Sequence, residues 1–363
     1  MMLPDYTGGC ISNLVAAARG HATPGWLPRI VVGAPQIVIL VLDGLGWQQL
    51  ETRRHVAPTL ASMTGGSITS VVPSTTATAL TSITTGLPPA AHEVVGYRVK
   101  VSRDEVLNVL RWTTAAGDAR QSVVPTEFQT RPVFGGEAVP VVTRAEFAET
   151  GFTLAHLAGV RINGWRSPSA IPVQVGALVG SGEKFVYAYY DGVDKVAHER
   201  GFGAYYDAEL RTADRLVGDI LDVLPPHAIL LVTADHGQVE VGDAVLPLGD
   251  DLLGDTVGVS GEGRFRWLHA RPGCRDRLAA NAESAFGDVA WIRTVDELDD
   301  EGWFGGRLSS AGRARLGDVA LIARHAVAFS DPADTGESTL RCRHGSVTPA
   351  EMLVPLLAAT GRG

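Results

Sequence analysis

The chain has 363 residues, 45% apolar and 20% charged, and carries a net charge of −9. That length buries a sizeable core, as one large domain or two smaller ones, and the acidic balance argues against a nucleic-acid coat or an anionic membrane surface as partner. Cys10, Cys274 and Cys342 are widely spaced, without a CxxC pair or an even framework, so they read as reduced thiols.

At the N-terminus, MMLPDYTGGCISNL has neither the basic start nor the apolar stretch of a signal peptide. No run approaches the ~20 apolar residues of a membrane span. A cytoplasmic protein is the expectation. IVILVL (37–42) reads as a buried strand ending at Asp43, and SITSVV (67–72) as another ending at Pro73. A helix is expected over 76–85, and 91–143 reads as an irregular insertion over one edge of a sheet. Helical patterns come next at 144–158 and about 203–224, flanking the strand FVYAYY (185–190). AILLVT (228–233) is the fourth strand and runs into Ala234-Asp235-His236-Gly237. From 241 to 330 the pattern changes to a β-α-β-α unit, with strands at 264–270 and 289–294 and helices at 274–286 and 295–300. A last helix is expected over 349–359. Short apolar runs alternating with helices predict an α/β fold with a doubly wound, mostly parallel sheet. Residues 1–240 plus 331–363 are expected to form the main core, and 241–330 an inserted α+β cap.

Three of the buried runs lead into aspartates: Asp43, Asp191 or Asp194, and Asp235. Ligands of open α/β sheets bind outside the carboxyl ends of the strands. Carboxylates converging there repel one another unless a cation sits between them. His236 follows Asp235, and His198 lies four residues after Asp194, one helical turn away on the same face. His344 stands in RCRHGS near the C-terminus. Taken singly, Asp43 is as readily a turn residue and His198 a solvated one; the combined order points to a metal site. Mixed imidazole and carboxylate ligands suit zinc first, then manganese or iron. In VVPSTTATALTSITTG (71–86) a strand gives way to a helix within a Ser-Thr cluster. Free backbone N–H groups and the helix dipole there form a cradle for a phosphate oxyanion. Helix capping accounts for one of Ser74, Thr75 and Thr76. A hydroxyl of the cluster bound to a metal is a competent nucleophile.

With these residues in place, the sequence resembles the type I phosphodiesterase/nucleotide pyrophosphatase branch of the alkaline phosphatase superfamily. The motifs that carry the resemblance are Asp43, Pro73-Ser74-Thr75-Thr76, Thr85-Gly86…His92, Asp194…His198, Asp235-His236-Gly237 and His344-Gly345. The resemblance implies two zinc ions, one on Asp194, His198 and His344 and the other on Asp43, Asp235 and His236 with Thr76. It also implies Thr76 as nucleophile, through a phosphothreonyl intermediate that is then hydrolysed, and a small phosphate-ester substrate, nucleotides included. The chain departs from the family after the nucleophile, with Ala77-Thr78-Ala79-Leu80 in place of Phe-Pro-Asn-His, and Glu93 follows His92 in place of glycine. The family's phosphate-binding Asn falls near Tyr97, so Tyr97 or Arg98 is the expected substitute donor, Arg98 favouring a dianionic monoester. His92 reads as structural. Trp112, Phe128, Phe134, Trp165 and Trp267 are candidates to stack on a planar group, with core packing as their ordinary role. The alternatives are a phosphomonoesterase, phosphonate hydrolase or phosphomutase of the same superfamily, or a catalytically silent metal-binding protein.

Overall fold

A computed structural model gives the structure of the chain and describes all residues except 21–23, 332, 335, 337 and 338. The first helix, α1 (Ile11–Arg19), buries Ile11, Leu14, Val15 and Ala18 along one stripe. Seven strands then build the central sheet: β1 (Gln36–Leu42), β2 (Thr64–Thr69), β3 (Pro140–Arg144), β4 (Arg161–Trp165), β5 (Phe185–Tyr190), β6 (Ala228–Thr233) and β7 (Leu353–Thr360). Their spatial order is β2-β7-β6-β1-β5-β3-β4, and β7 alone runs against its neighbours. Every residue of β5 and β6, and all of β1 after Gln36, is buried. Helices cover both faces of such a sheet, which is why the runs are continuously apolar. Each buried Val, Leu or Ile contributes ~1.5–3 kcal/mol.

The helices nearest the sheet's carboxyl edge are α2 (Thr76–Thr85), α3 (Gly192–Arg200) and α4 (Ala204–Val223). In α4, Tyr206, Leu210, Ala213, Leu216, Val217 and Ile220 recur at helical spacing and face the core. The fold is the expected mostly parallel α/β class. The last segment is a correction: in place of a helix over 349–359, one turn (Pro349–Met352) leads into β7. The run LVPLLAA offers no polar helical face, and Pro355 would break a helix. Pro355 pairs with Ser67 of β2 but lies past the end of β6, whose Thr233 faces Leu356. Its missing N–H therefore costs one ladder position at most. The stretch 144–158 is likewise divided, into a 3-10 turn (Ala145–Phe147) and a short helix (Gly151–His156). SITSVV is an exposed edge strand displaced to 64–69, and 91–143 holds a small four-stranded sheet over 98–118 as well as β3. The strand β4 and the helix Ala170–Gly180 had no sequence expectation.

Within 241–330, the strands Phe265–Ala270 and Ala290–Thr294 and the helices Arg275–Phe286 and Val295–Asp300 fall where the sequence places them. Strands Thr256–Glu262 and Val319–Ala323 complete a four-stranded antiparallel sheet. Alternation divides its two faces. Val319, Leu321 and Ala323 join Leu278 and Phe286 in a separate apolar cluster, while Ala320 and Ile322 face the main core with Phe265 and Trp267. Arg264 ties this region to the C-terminal segment through a fully buried pair with Glu351, at 2.7 and 2.8 Å.

Candidate active site

Strands β1, β6 and β5 run parallel and in register, Val41 opposite Thr233 and Leu42 opposite Tyr190. The segments leaving their carboxyl ends therefore emerge at one edge. Asp43 comes directly after β1, Asp191 and Asp194 after β5, and Asp235 and His236 after β6. Gly44 turns the chain there at φ +71°, where a Cβ would come within 2.8 Å of the Asp194 side chain. Only glycine allows that approach.

Ligand atoms of Asp194, His198 and His344 lie within 4.8 Å of one another, and so do those of Asp43, Asp194 and His236. Asp194 thus belongs to both groups. Asp235 stands beside the second, its Oδ2 3.4 Å from His236 Nε2. Asp191 is turned elsewhere, with both oxygens 2.8 Å from Arg144 Nε. Each of the three histidines places Nδ1 on a backbone carbonyl: His198 on Cys342 at 2.7 Å, His236 on Gly237 at 3.0 Å, His344 on Ser74 at 2.9 Å. A carbonyl can only accept, so Nδ1 carries the hydrogen and Nε2 is left as a bare lone pair. His198 Nε2 is 3.3 Å from Asp194 Oδ1, and His236 Nε2 is 3.5 Å from Asp43 Oδ1.

Thr76 opens α2, and its Oγ1 is 3.1 Å from His236 Nε2, which the locked tautomer makes the acceptor. The expectation that one hydroxyl of the cluster caps the helix is corrected. Thr75, the N-cap residue, makes no side-chain cap bond. Ser74 Oγ instead donates to Ser346 O at 2.7 Å and accepts from Gly345 N at 3.2 Å, fastening the Thr76 turn to the His344 turn. With no cap bond from Thr75, the first-turn N–H groups of α2 remain available to an anion beside Thr76.

The electrostatics are those of a cation site. Burial, and then the charges of Asp235 and Asp194, hold the Asp43 carboxyl well above its ordinary range. Asp235 is raised for the same first reason. Asp194 is held below its range: burial opposes this, but His198, His236 and His344 outweigh it. Burial, His236 and His198 push His344 well down. Asp43 Oδ1 and Asp235 Oδ2 are buried with no hydrogen-bond partner among the described residues. An unpartnered buried carboxylate oxygen is costly and calls for a ligand.

Tyr97 lines a cavity of about 280 Å³ with Thr76, Asp194, His198 and His344. Arg98 does not line it; its guanidinium pairs with Asp331 and lies 3.6 Å from Asp334. His92 is buried behind α2, with Nε2 2.8 Å from Ser82 Oγ and Nδ1 accepting from Val94 N at 3.1 Å. Trp112, Phe128, Phe134, Trp165 and Trp267 are buried in the core. The aromatic side chains beside Thr76 are Phe147, Phe152, Tyr187 and Tyr189, in a second cavity of about 400 Å³. Sequence reasoning passed over Tyr189, which donates to Asp43 Oδ2, and Gln238, which donates to Asp194 Oδ1 at 2.7 Å. The alternation of FVYAYY, which puts Tyr187 and Tyr189 on one face, was the available signal.

The model of the type I phosphodiesterase/nucleotide pyrophosphatase family matches residues 37–346. No curated protein sequence matches the chain. Among solved structures, an inactive threonine-to-alanine variant of murine ectonucleotide pyrophosphatase/phosphodiesterase 5 in complex with AMP is similar, with a TM-score of 0.66 and 13% identity, over 88% of this chain and 87% of that one. Phosphonoacetate hydrolase from Sinorhizobium meliloti 1021, in complex with phosphonoformate, is similar with a TM-score of 0.62 and 18% identity, over 94% and 92%. At such identities the likeness is one of fold. The match over most of its length shows that the chain belongs to the type I phosphodiesterase/nucleotide pyrophosphatase family and is a phosphoric ester hydrolase.

Proposed function

We propose that the protein is a phosphodiesterase of the nucleotide pyrophosphatase type, acting on a small phosphate ester with Thr76 as nucleophile and two divalent metal ions, zinc in first place. One observation carries this reading. Three imidazole Nε2 atoms and the carboxylates of Asp43, Asp194 and Asp235 converge beside the Thr76 hydroxyl, and two of those carboxylate oxygens are buried without a partner among the described residues. The donor set fits zinc, and manganese or iron would accept it too. Asp194, His198 and His344 would hold one ion, and Asp43, Asp235 and His236 the other, with the Asp194 carboxylate within reach of both. Bound ions supply positive charge for the phosphoryl oxygens and lower the pKa of the attacking hydroxyl.

The chain's own groups do the rest. Thr76 Oγ1 releases its proton to solvent, the His236 Nε2 lone pair being committed to an ion, and attacks phosphorus; the Oγ–P bond forms as the ester P–O bond breaks. A proton from solvent ends on the departing alcohol. The N–H groups opening α2 face the oxygens on which charge gathers. Water then cleaves the phosphothreonine and restores Thr76. Tyr97 stands on the cavity wall where it can orient the ester.

Turnover of bis(p-nitrophenyl) phosphate should vanish with EDTA and return with zinc. If the pure, metal-loaded protein cleaves no phosphodiester, the reading fails. A phosphonate hydrolase is a second reading, drawing on the likeness to phosphonoacetate hydrolase. Faster release of phosphate from phosphonoacetate than of nitrophenol from the diester would favour it. The monoesterase reading loses its main support, since Arg98 is engaged by Asp331. Cysteines Cys10, Cys274 and Cys342 are free thiols, in keeping with the cytoplasmic location we propose. Among the described residues no helix is long and apolar enough to cross a membrane.

A further inference from the structure

The cavity of about 400 Å³ that holds Thr76, Asp43 and Asp194 is also lined by Leu80 of α2 and by Phe152, Thr153 and His156 of the helix Gly151–His156. Its walls are Leu80, Leu110, Phe147, Phe152, Leu157 and Tyr189. The described residues of its lining include one Lys or Arg, the exposed Lys195; of its carboxylates, Asp43 and Asp194 belong to the candidate metal groups, Asp191 is neutralised by Arg144, and Glu199 is exposed. Such walls suit an uncharged, planar group rather than a second anion.

A polar group of this lining with a free acceptor is His156. His156 is 5% exposed, and its ring stacks on Phe152 with centroids 3.9 Å apart and planes 12° from parallel. Its Nδ1 is 2.7 Å from Phe152 O, so Nδ1 carries the hydrogen and Nε2 of the neutral ring is an acceptor. Burial holds its pKa down to about 4, which keeps the ring neutral at ordinary assay pH. No described residue forms a hydrogen bond to that Nε2. The residue is also fixed relative to the nucleophile, because Thr84, on the helix that Thr76 opens, donates from Oγ1 to His156 O at 2.9 Å. Tyr187, in the same lining, has a buried hydroxyl that no described residue partners. Beside apolar walls, the polar atoms left without a protein partner decide which ligand fits.

We propose that His156 is a specificity-determining residue, its Nε2 accepting a hydrogen bond from an N–H or O–H on the uncharged, planar group of the ester that the cavity encloses. This rests on the phosphodiesterase reading. The ester's non-leaving group would be aromatic and donor-bearing, and an analogue without the donor would leave a buried acceptor unpaired.

The test compares p-nitrophenyl phenyl phosphate with its ring-hydroxylated and ring-aminated analogues on the metal-loaded enzyme. The wild type should prefer at least one donor-bearing ester by about tenfold in kcat/KM, chiefly through KM. His156→Phe should erase that preference, whatever its effect on the rate with the plain phenyl ester. His156→Gln, which keeps an acceptor, should retain part of it. Turnover of the phenyl ester with no preference in the wild type, or a preference that survives in His156→Phe, overturns the assignment and leaves the phosphodiesterase reading standing. No turnover of any diester sinks that reading instead. Because the preference is a ratio within one protein, partial misfolding of a variant does not mimic it.

Discussion

Two clusters of buried charge, one at the carboxyl edge of the sheet and one where Arg264 meets the C-terminal segment, are built in opposite ways. In the cluster at Arg264, Glu351 has no exposure, and both its oxygens are satisfied: Oε1 accepts from Arg264 Nε and Ser346 N, and Oε2 from Arg264 Nη2 and Thr348. At the edge, Asp43, Asp194 and Asp235 crowd together, and Asp43 Oδ1 and Asp235 Oδ2 have no partner among the described residues. The first cluster is complete as it stands and ties two regions together. The second is complete only with a cation. Burial of charge therefore says little by itself; the pairing separates a structural cluster from a binding one.

Exchanging the roles of the two clusters by mutation gives the largest effects. Asp194→Ala removes a carboxylate common to both ligand groups, so hydrolysis should fall to background with loss of bound metal, read by turnover and by metal content. Glu351→Ala strands a buried guanidinium and should cost ~3–5 kcal/mol in denaturant unfolding, with the metal ligands intact. The edge should respond in the opposite sense when metal-free. The folded pKa of Asp43 lies above its unfolded value, so its contribution is lost as pH rises from about 3.8 through the folded pKa. In metal-free protein at neutral pH, Asp43→Asn should therefore stabilise by on the order of 1 kcal/mol while weakening metal binding.

His92 offers the smallest and most local test. Burial, and then Arg315, hold its pKa down to about 3, so the folded protein resists protonation that the unfolded chain accepts at 6.5. Stability is then lost as pH falls from 6.5 towards about 3, with a limiting slope of about 1.4 kcal/mol per pH unit from this group. His92→Gln should flatten that part of the stability curve and leave KM unchanged.

How far the sequence reveals this molecule depends on whether a signal is local. The strands β1, β5 and β6 were legible because each is a short apolar run closed by an aspartate, and their parallel pairing puts those aspartates on one edge. The strand β7 was misread as a helix: a run apolar at nearly every position carries no period, and Pro355 was the discriminating residue. Of Asp191 and Asp194, Asp194 falls among the candidate ligand groups, while Asp191 is paired with Arg144 from a different strand, which the local sequence does not reveal. Arg98 was tied to the substrate by its position after the motif, but Asp331, more than two hundred residues away, claims its guanidinium. His156 and Phe152 are not legible in the sequence because what brings them to Thr76 is the packing of one short helix against α2, which leaves no mark in the local sequence.

The account turns on Thr76. Its most direct test is the turnover of bis(p-nitrophenyl) phosphate by Thr76→Ala with metal content measured on the same sample. The prediction is two ions per chain, as in the wild type, with kcat lower by ~10⁴-fold or more. A fully metal-loaded Thr76→Ala variant that turns over at the wild-type rate would contradict it.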